Sequence, residues 1–172
     1  MIALLQMRLR DHLRESLSHL RLLGQSGQGD VQTTPKVFIG DTPPKRMKAN
    51  AATPATEARE LPCVVIFPLS GCLQVDGGAV ESEAVMALCC AVYNSEKGEQ
   101  GDLEEVEGDL AALISAVTGA LLPCAQGVPL AKRFVLHPDE KGRLLPWVRP
   151  EEQPKQFSAA TITSRWQFKG WE

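Results

Sequence analysis

The sequence has little charge imbalance, few aromatics and no recognisable reactive signature. Net charge is −3 over 172 residues, which removes the electrostatic reason to expect nucleic acid as the main partner. Aromatics make up 5% of the chain and histidines number three. There is no GxSxG, HExxH, Walker or GxGxxG pattern, so the motifs that announce hydrolases, zinc peptidases and nucleotide enzymes are missing. The five cysteines, Cys63, Cys72, Cys89, Cys90 and Cys124, are odd in number and contain no CxxC pair. That spacing argues against a zinc ribbon; thiols inside apolar runs behave as small hydrophobes in a reducing compartment. Residues 2–5 are apolar, but Arg8 and Arg10 interrupt before a signal-peptide core forms. No run is expected to reach the ~20 apolar residues of a membrane span. The expectation is a cytoplasmically made, soluble protein with no membrane partner, no cofactor, no metal and no catalytic residue.

What is present is a globular composition, 44% apolar and 23% charged, at a length that suits one domain. The organising stretch is Ala79–Asn94. Val85, Ala87, Cys89, Ala91 and Tyr93 alternate with Met86, Leu88, Cys90 and Val92. A strand apolar on both sides belongs in the middle of a sheet. Asp76-Gly77-Gly78 predicts a hairpin leading into it from Cys72–Val75, with Ser70-Gly71 a further turn after the strand Leu61–Pro68.

Around this centre, residues 2–23 predict an amphipathic helix, with Ile2, Leu5, Leu9, Leu13, Leu17 and Leu20 on one stripe and Gly24 as its left-handed cap. Residues 25–30 read as a linker and Lys36–Gly40 as a short strand. Residues 43–60 form a long loop carrying Lys45, Arg46 and Lys48, either a surface loop or an arm that orders on a neighbouring subunit. Asp102–Leu122 predicts a second helix with Leu103, Val106, Leu110, Leu113, Val117 and Leu121 buried. Phe134–Leu136, Leu144–Val148 (an edge, because of Pro146) and Phe157–Trp171 complete the β content. The predicted fold class is α+β, with a mostly antiparallel sheet and two helices on one face.

Weighed for chemistry, Gly24–Gly29 follows a helix and lacks a phosphate-binding lysine. His12 and His19 have no third ligand nearby. His137-Pro138-Asp139-Glu140 reads as a turn, and the acidic run 99–109 as a solvated helix start. Trp166 suits the core, whereas Trp147 and Trp171 suit an interface. Charge is segregated: between Asp76 and Asp109 Lys97 is the lone base, while the N-terminal segment is arginine-rich.

The order of pieces resembles the tail terminator (tail completion, or minor tail) proteins of long-tailed bacteriophages and prophages. The resemblance is carried by the N-terminal helix, VFIGDTPPK, LPCVVIFPLSG, the strand ending CAVYN, the helix entry GEQGDLEEV, and the closing PWVRPEEQPKQFSAATITSRWQFKGWE. It implies a structural virion-assembly subunit that forms a ring, commonly a hexamer. Such a ring caps the tail tube and offers a docking face for the head connector. The implied partners are further copies of itself, the tail tube protein and the head connector or completion protein. The implied location is the host bacterial cytoplasm during assembly, then the virion tail. On this reading Lys45, Arg46, Lys48, Glu81, Glu83, Trp147 and Trp171 are interface candidates, with the basic and acidic regions facing each other between subunits. Other head–tail joining or tube proteins, a small cytosolic enzyme and a peptide-binding module are the alternatives.

Overall fold

A computed structural model describes residues 1–26, 29–44, 59–76, 79–93, 103–153 and 157–168. Its elements run α1 (Ile2–Ser16), β1 (Leu22–Ser26), β2 (Gly29–Thr33), β3 (Lys36–Ile39), β4 (Cys63–Asp76), β5 (Ala79–Tyr93), α2 (Leu103–Leu121), a 3₁₀ turn (Leu122–Ala125), β6 (Phe134–His137), β7 (Trp147–Val148) and β8 (Phe157–Phe168). The main sheet is ordered β3-β4-β5-β8-β6, with β7 beside β6 on the outer edge of β8. Only β3–β4 is parallel. The α+β class, with a mostly antiparallel sheet, follows directly.

The long strand sits where its two apolar faces predict. β5 lies between β4 and β8 and pairs with both along most of its length. Met86, Leu88, Cys90 and Val92 enter the main core with Leu5, Leu9 and Leu13 of α1 and with Val106, Leu110, Leu113, Val117 and Leu121 of α2. Burying each of these large aliphatic side chains contributes roughly 1.5–3 kcal/mol. Trp166 of β8 is buried in the same layer, its indole N–H donating to Ser164 Oγ at 2.9 Å. The other side of the sheet carries a smaller cluster of Cys63, Val65, Ala91 and Ala159, with Phe38, Leu61, Cys89 and Phe157 around it. Among the described residues no helix contributes to that cluster.

Four local expectations are corrected. The first helix ends at Ser16 rather than near residue 23; the Ser18 hydroxyl donates to Glu15 O at 2.7 Å and the backbone turns. Leu17 and Leu22 still reach the core, but from a turn and a strand. Apolar spacing alone could not separate these geometries. Gly24 is therefore no helix cap. It lies in β1, and the segment expected as a linker is part of the antiparallel β1–β2 hairpin. Ser70-Gly71 is no turn: β4 continues through it, with a bulge between Pro68 and Ser70. Proline lacks an N–H for the ladder, and the extra residue beside it shifts the β4–β5 register so that pairing resumes at Ser70 with Val85. Gly71 leaves room for α1, since a Cβ there would lie 2.8 Å from Ile2 Cδ1. Finally, only Trp147–Val148 of the stretch 144–148 is strand, because Leu145 has φ +52°.

The helix pair is tied by polar contacts as well as leucines. His12 Nε2 donates to Ala120 O at 2.9 Å, and Asp109 accepts the Leu23 N–H at 2.9 Å. Arg14 donates to Val37 O at 2.9 Å, fastening α1 over β3. One expectation about membranes is also corrected. Val106–Ala125, 20 residues of mean hydropathy 1.6, is long and apolar enough to cross a bilayer by length and composition. Here its inner side is the cover of the sheet.

Candidate assembly surface

Two features stand at opposite margins of the main sheet. At the first, β3 pairs with β4 only from Cys63 to Ile66. Beyond Ile66, β4 runs ten more residues with a partner on its β5 side alone. Among the described pairings the outer backbone edge of Phe67–Asp76 is open. Open edges are templates for another strand. Residues 68–73 are all exposed, with Leu69 at 53% and Leu73 at 72%. Ile39, at the end of β3, is exposed beside them. The nine residues from Phe67 to Val75 contain no charge.

At the second margin, α2 and the segment around β7 enclose an open groove of about 560 Å³. Ala111, Ser115, Thr118 and Gly119 are among its small lining residues, with Trp147 also on the wall. Glu107 and Arg149, 2.6 Å apart, are both on the lining and neutralise each other. From Glu107 to Leu122 the helix spans about 22 Å at 1.5 Å per residue. Trp147 is 54% exposed and Val148 66%. These margins account for seven of the ten exposed large hydrophobic side chains among the described residues: Ile39, Leu69 and Leu73 at one, Leu122, Val128, Trp147 and Val148 at or near the other.

The interface candidates divide accordingly. Trp147 stands exposed on the groove. Glu83 is half-buried and pairs with Arg165 at 2.5 Å, so its charge is engaged within its own chain. Arg165 also reaches Glu140 at 3.3 Å. Lys45, Arg46, Lys48 and Trp171 lie outside the described residues, as does the Glu81 side chain. Of the N-terminal arginines, Arg10 pairs with its neighbour Asp11 at 2.8 Å and Arg21 donates to Ser18 O at 2.8 Å, both at the surface. Leu69 and Leu73 were not singled out from sequence. Their signal was the apolar alternation that continues past Pro68, hidden by reading Ser70-Gly71 as a turn.

The groups weighed for chemistry stay separate. Asp139 accepts the backbone N–H groups of Lys141 and Arg143 and the Arg143 guanidinium, which holds its carboxyl below the usual range. His137 Nε2 is buried and has no hydrogen-bond partner among the described residues. Burial pushes the thiols of Cys63, Cys89, Cys90 and Cys124 upward, away from the reactive thiolate. Cys72, on the open β4 margin, is exposed. Among the described residues no three metal-ligating side chains gather. No family model matches the chain, and no curated protein matches it.

Proposed function

We propose that this chain is a structural subunit of a phage tail that closes into a ring, terminates the tail tube and provides a docking face for the head connector. The observation that supports this reading most is the β4–β5 arm. Among the described residues it carries an open backbone edge and two exposed leucines. Unpaired edges invite intermolecular pairing, and proteins that stay monomeric blunt them with charge or cover. Among the described residues the edge has neither between Phe67 and Val75, apart from Pro68 and its bulge. The α+β class is compatible with such a subunit, and the two unlike margins suit the heterologous contacts of a ring, in which one face of each subunit meets a different face of the next.

The test is the mass of the purified protein by size-exclusion chromatography with light scattering, together with electron micrographs. Closed rings of one size are expected. Long open polymers would transfer the assignment to a tube subunit, and a monomer at tens of micromolar would end the ring reading.

A further inference from the structure

We infer that the seam between neighbouring subunits is a continued β-sheet, in which the β1–β2 hairpin of one copy adds its outer strand to the open β4 edge of the next. The inference rests on the ring reading and supplies its contact.

Two backbone edges carry it, and hydrogen bonds within the chain fix which groups each edge offers. On β4, the Gly40 N–H donates to the Ile66 carbonyl at 3.2 Å, so Ile66 faces β3. Its partner Leu88 therefore faces away from β4, and alternation along β5 turns Ala87, Val85 and Glu83 towards it. Past the bulge, Val85 and Glu83 stand opposite Ser70 and Cys72. Gly71 and Leu73 thus direct their N–H and C=O groups outward, and both residues are exposed. On the hairpin, the Leu23 N–H leaves the β1–β2 ladder and donates to Asp109 at 2.9 Å. Leu23 stands opposite Gln32, so the N–H and C=O of Gln32 face away from β1, and by alternation so do those of Asp30. Gln32 is exposed. Among the described residues no strand pairs with β2 on that side, or with the outer side of β4 beyond Ile66.

Each edge offers what the other lacks. Outward groups recur at every second residue on both, the repeat that one strand needs to pair with another. A two-stranded sheet is marginal by itself and gains from a third strand. An apolar side chain marks each edge, Val31 at 52% exposure on β2 and Leu73 at 72% on β4. Within one copy the hairpin sits at the far end of β4. A Cβ at Gly24 would lie 3.3 Å from the Leu61 carbonyl oxygen, just ahead of β4, and Gly71 is roughly 25 Å further along the strand. Hairpin and edge are unlike surfaces at separate places on every copy, so their contact is heterologous and propagates from subunit to subunit, as ring closure requires. Strand addition draws its affinity from main-chain hydrogen bonds, so its loss follows the backbone rather than the side chains.

Gln32→Pro and Leu73→Pro each remove one outward N–H and leave the ladders within the chain intact. Circular dichroism verifies that both fold. Each is expected to weaken assembly about tenfold or more, through one lost hydrogen bond and the bulk of a ring at the seam, whereas Gln32→Ala, which keeps the amide, assembles as wild type does. Hydrogen exchange on the unaltered protein needs no variant: the Gln32 and Leu73 amides are expected to exchange at least about tenfold more slowly in the assembly than after dilution to monomer. Val31→Cys places a thiol on the hairpin to join the exposed Cys72, and a short bis-maleimide is expected to link copies into a covalent ladder up to the ring size. Proline variants that assemble with wild-type affinity, equal losses in Gln32→Ala and Gln32→Pro, unchanged exchange at both amides in the ring, or cross-linking that stops at dimers would each overturn the seam while leaving the ring itself standing. A monomeric wild-type protein would instead remove the ring reading on which the seam depends.

Discussion

Replacing Gly24 by alanine, alone and with Thr33→Ser, measures how closely the β1–β2 hairpin packs. Gly24 has no left-handed φ, so alanine fits its backbone and would, by restricting the unfolded chain, stabilise by ~0.4–1 kcal/mol. Space decides the opposite sign. A Cβ at residue 24 would lie 2.3 Å from Thr33 Cγ2 and 3.3 Å from the Leu61 carbonyl oxygen. The first neighbour is a methyl on the paired strand, and the second is backbone that gives little. Overpacking of this kind costs about 1–3 kcal/mol, leaving a net loss of roughly 1–2 kcal/mol once the chain-entropy gain is subtracted. Thr33→Ser removes the methyl and keeps the hydroxyl. The double variant is therefore expected to regain about 1 kcal/mol relative to the sum of the singles, the size of coupling that touching residues show. Urea unfolding followed by far-UV circular dichroism reads this as shifts in midpoint, at one fixed protein concentration because assembly also stabilises. In a chain of this length the single variant lowers Tm by ~2–4 °C per kcal/mol. A Gly24→Ala protein as stable as wild type, or a double variant with no coupling, would refute the packing account.

Leu88→Ala, at a fully buried position of the central strand, is expected to cost about 3–5 kcal/mol, checked by the same denaturation. Arg165→Met breaks the pairs with Glu83 and Glu140; because the arginine and Glu83 are about a third exposed, the loss is expected to be no more than ~1 kcal/mol and to shrink in high salt. Thiol titration of the native protein at pH 8 should find Cys72 reacting first, with Cys63 and Cys90 reacting only on unfolding; early modification of Cys90 would contradict its burial. Those buried thiols also set an alkaline limit. Their pKa values are raised in the folded state, chiefly by burial, so the folded chain holds protons that the unfolded chain releases. Their contribution is complete below the unfolded thiol value near ~8.5 and declines as pH rises above it. Stability measured from pH 7 to 10 should fall on the alkaline side, and replacing Cys63 and Cys90 by alanine should flatten that fall.

Much of the fold was legible from periodicity. The alternation through Met86–Val92 demanded two covers and a central place, and the structure puts β5 between β4 and β8. The stripe of α2 and the alternating β8 were equally readable, because each repeats a single period over three or more turns or many residues. The failures share one cause. Leu17 and Leu20 satisfy a helical stripe and a turn into a strand equally well, and only the Ser18 hydrogen bond to Glu15 and the partner strand β2 choose between them. Gly24 and Gly71 look like punctuation in sequence. In the structure both lie within strands, with a second element passing close by: Thr33 and the Leu61 carbonyl at Gly24, the tip of Ile2 at Gly71.

The candidate surface was legible only in part. Trp147 could be singled out because a tryptophan beside a proline in a short run seldom belongs to a core. Its groove could not be seen, since that requires α2, 25 to 40 residues earlier in the chain, to pass alongside. Local pattern alone determined the α+β class, the central strand, the buried stripe of α2 and the core place of Trp166, because hydrophobic burial acts on neighbours in sequence through fixed helical and strand periods. Which edges stay bare, which charges pair with each other and which exposed residues share a margin were decided by the tertiary structure, because each is a relation between segments far apart in the chain.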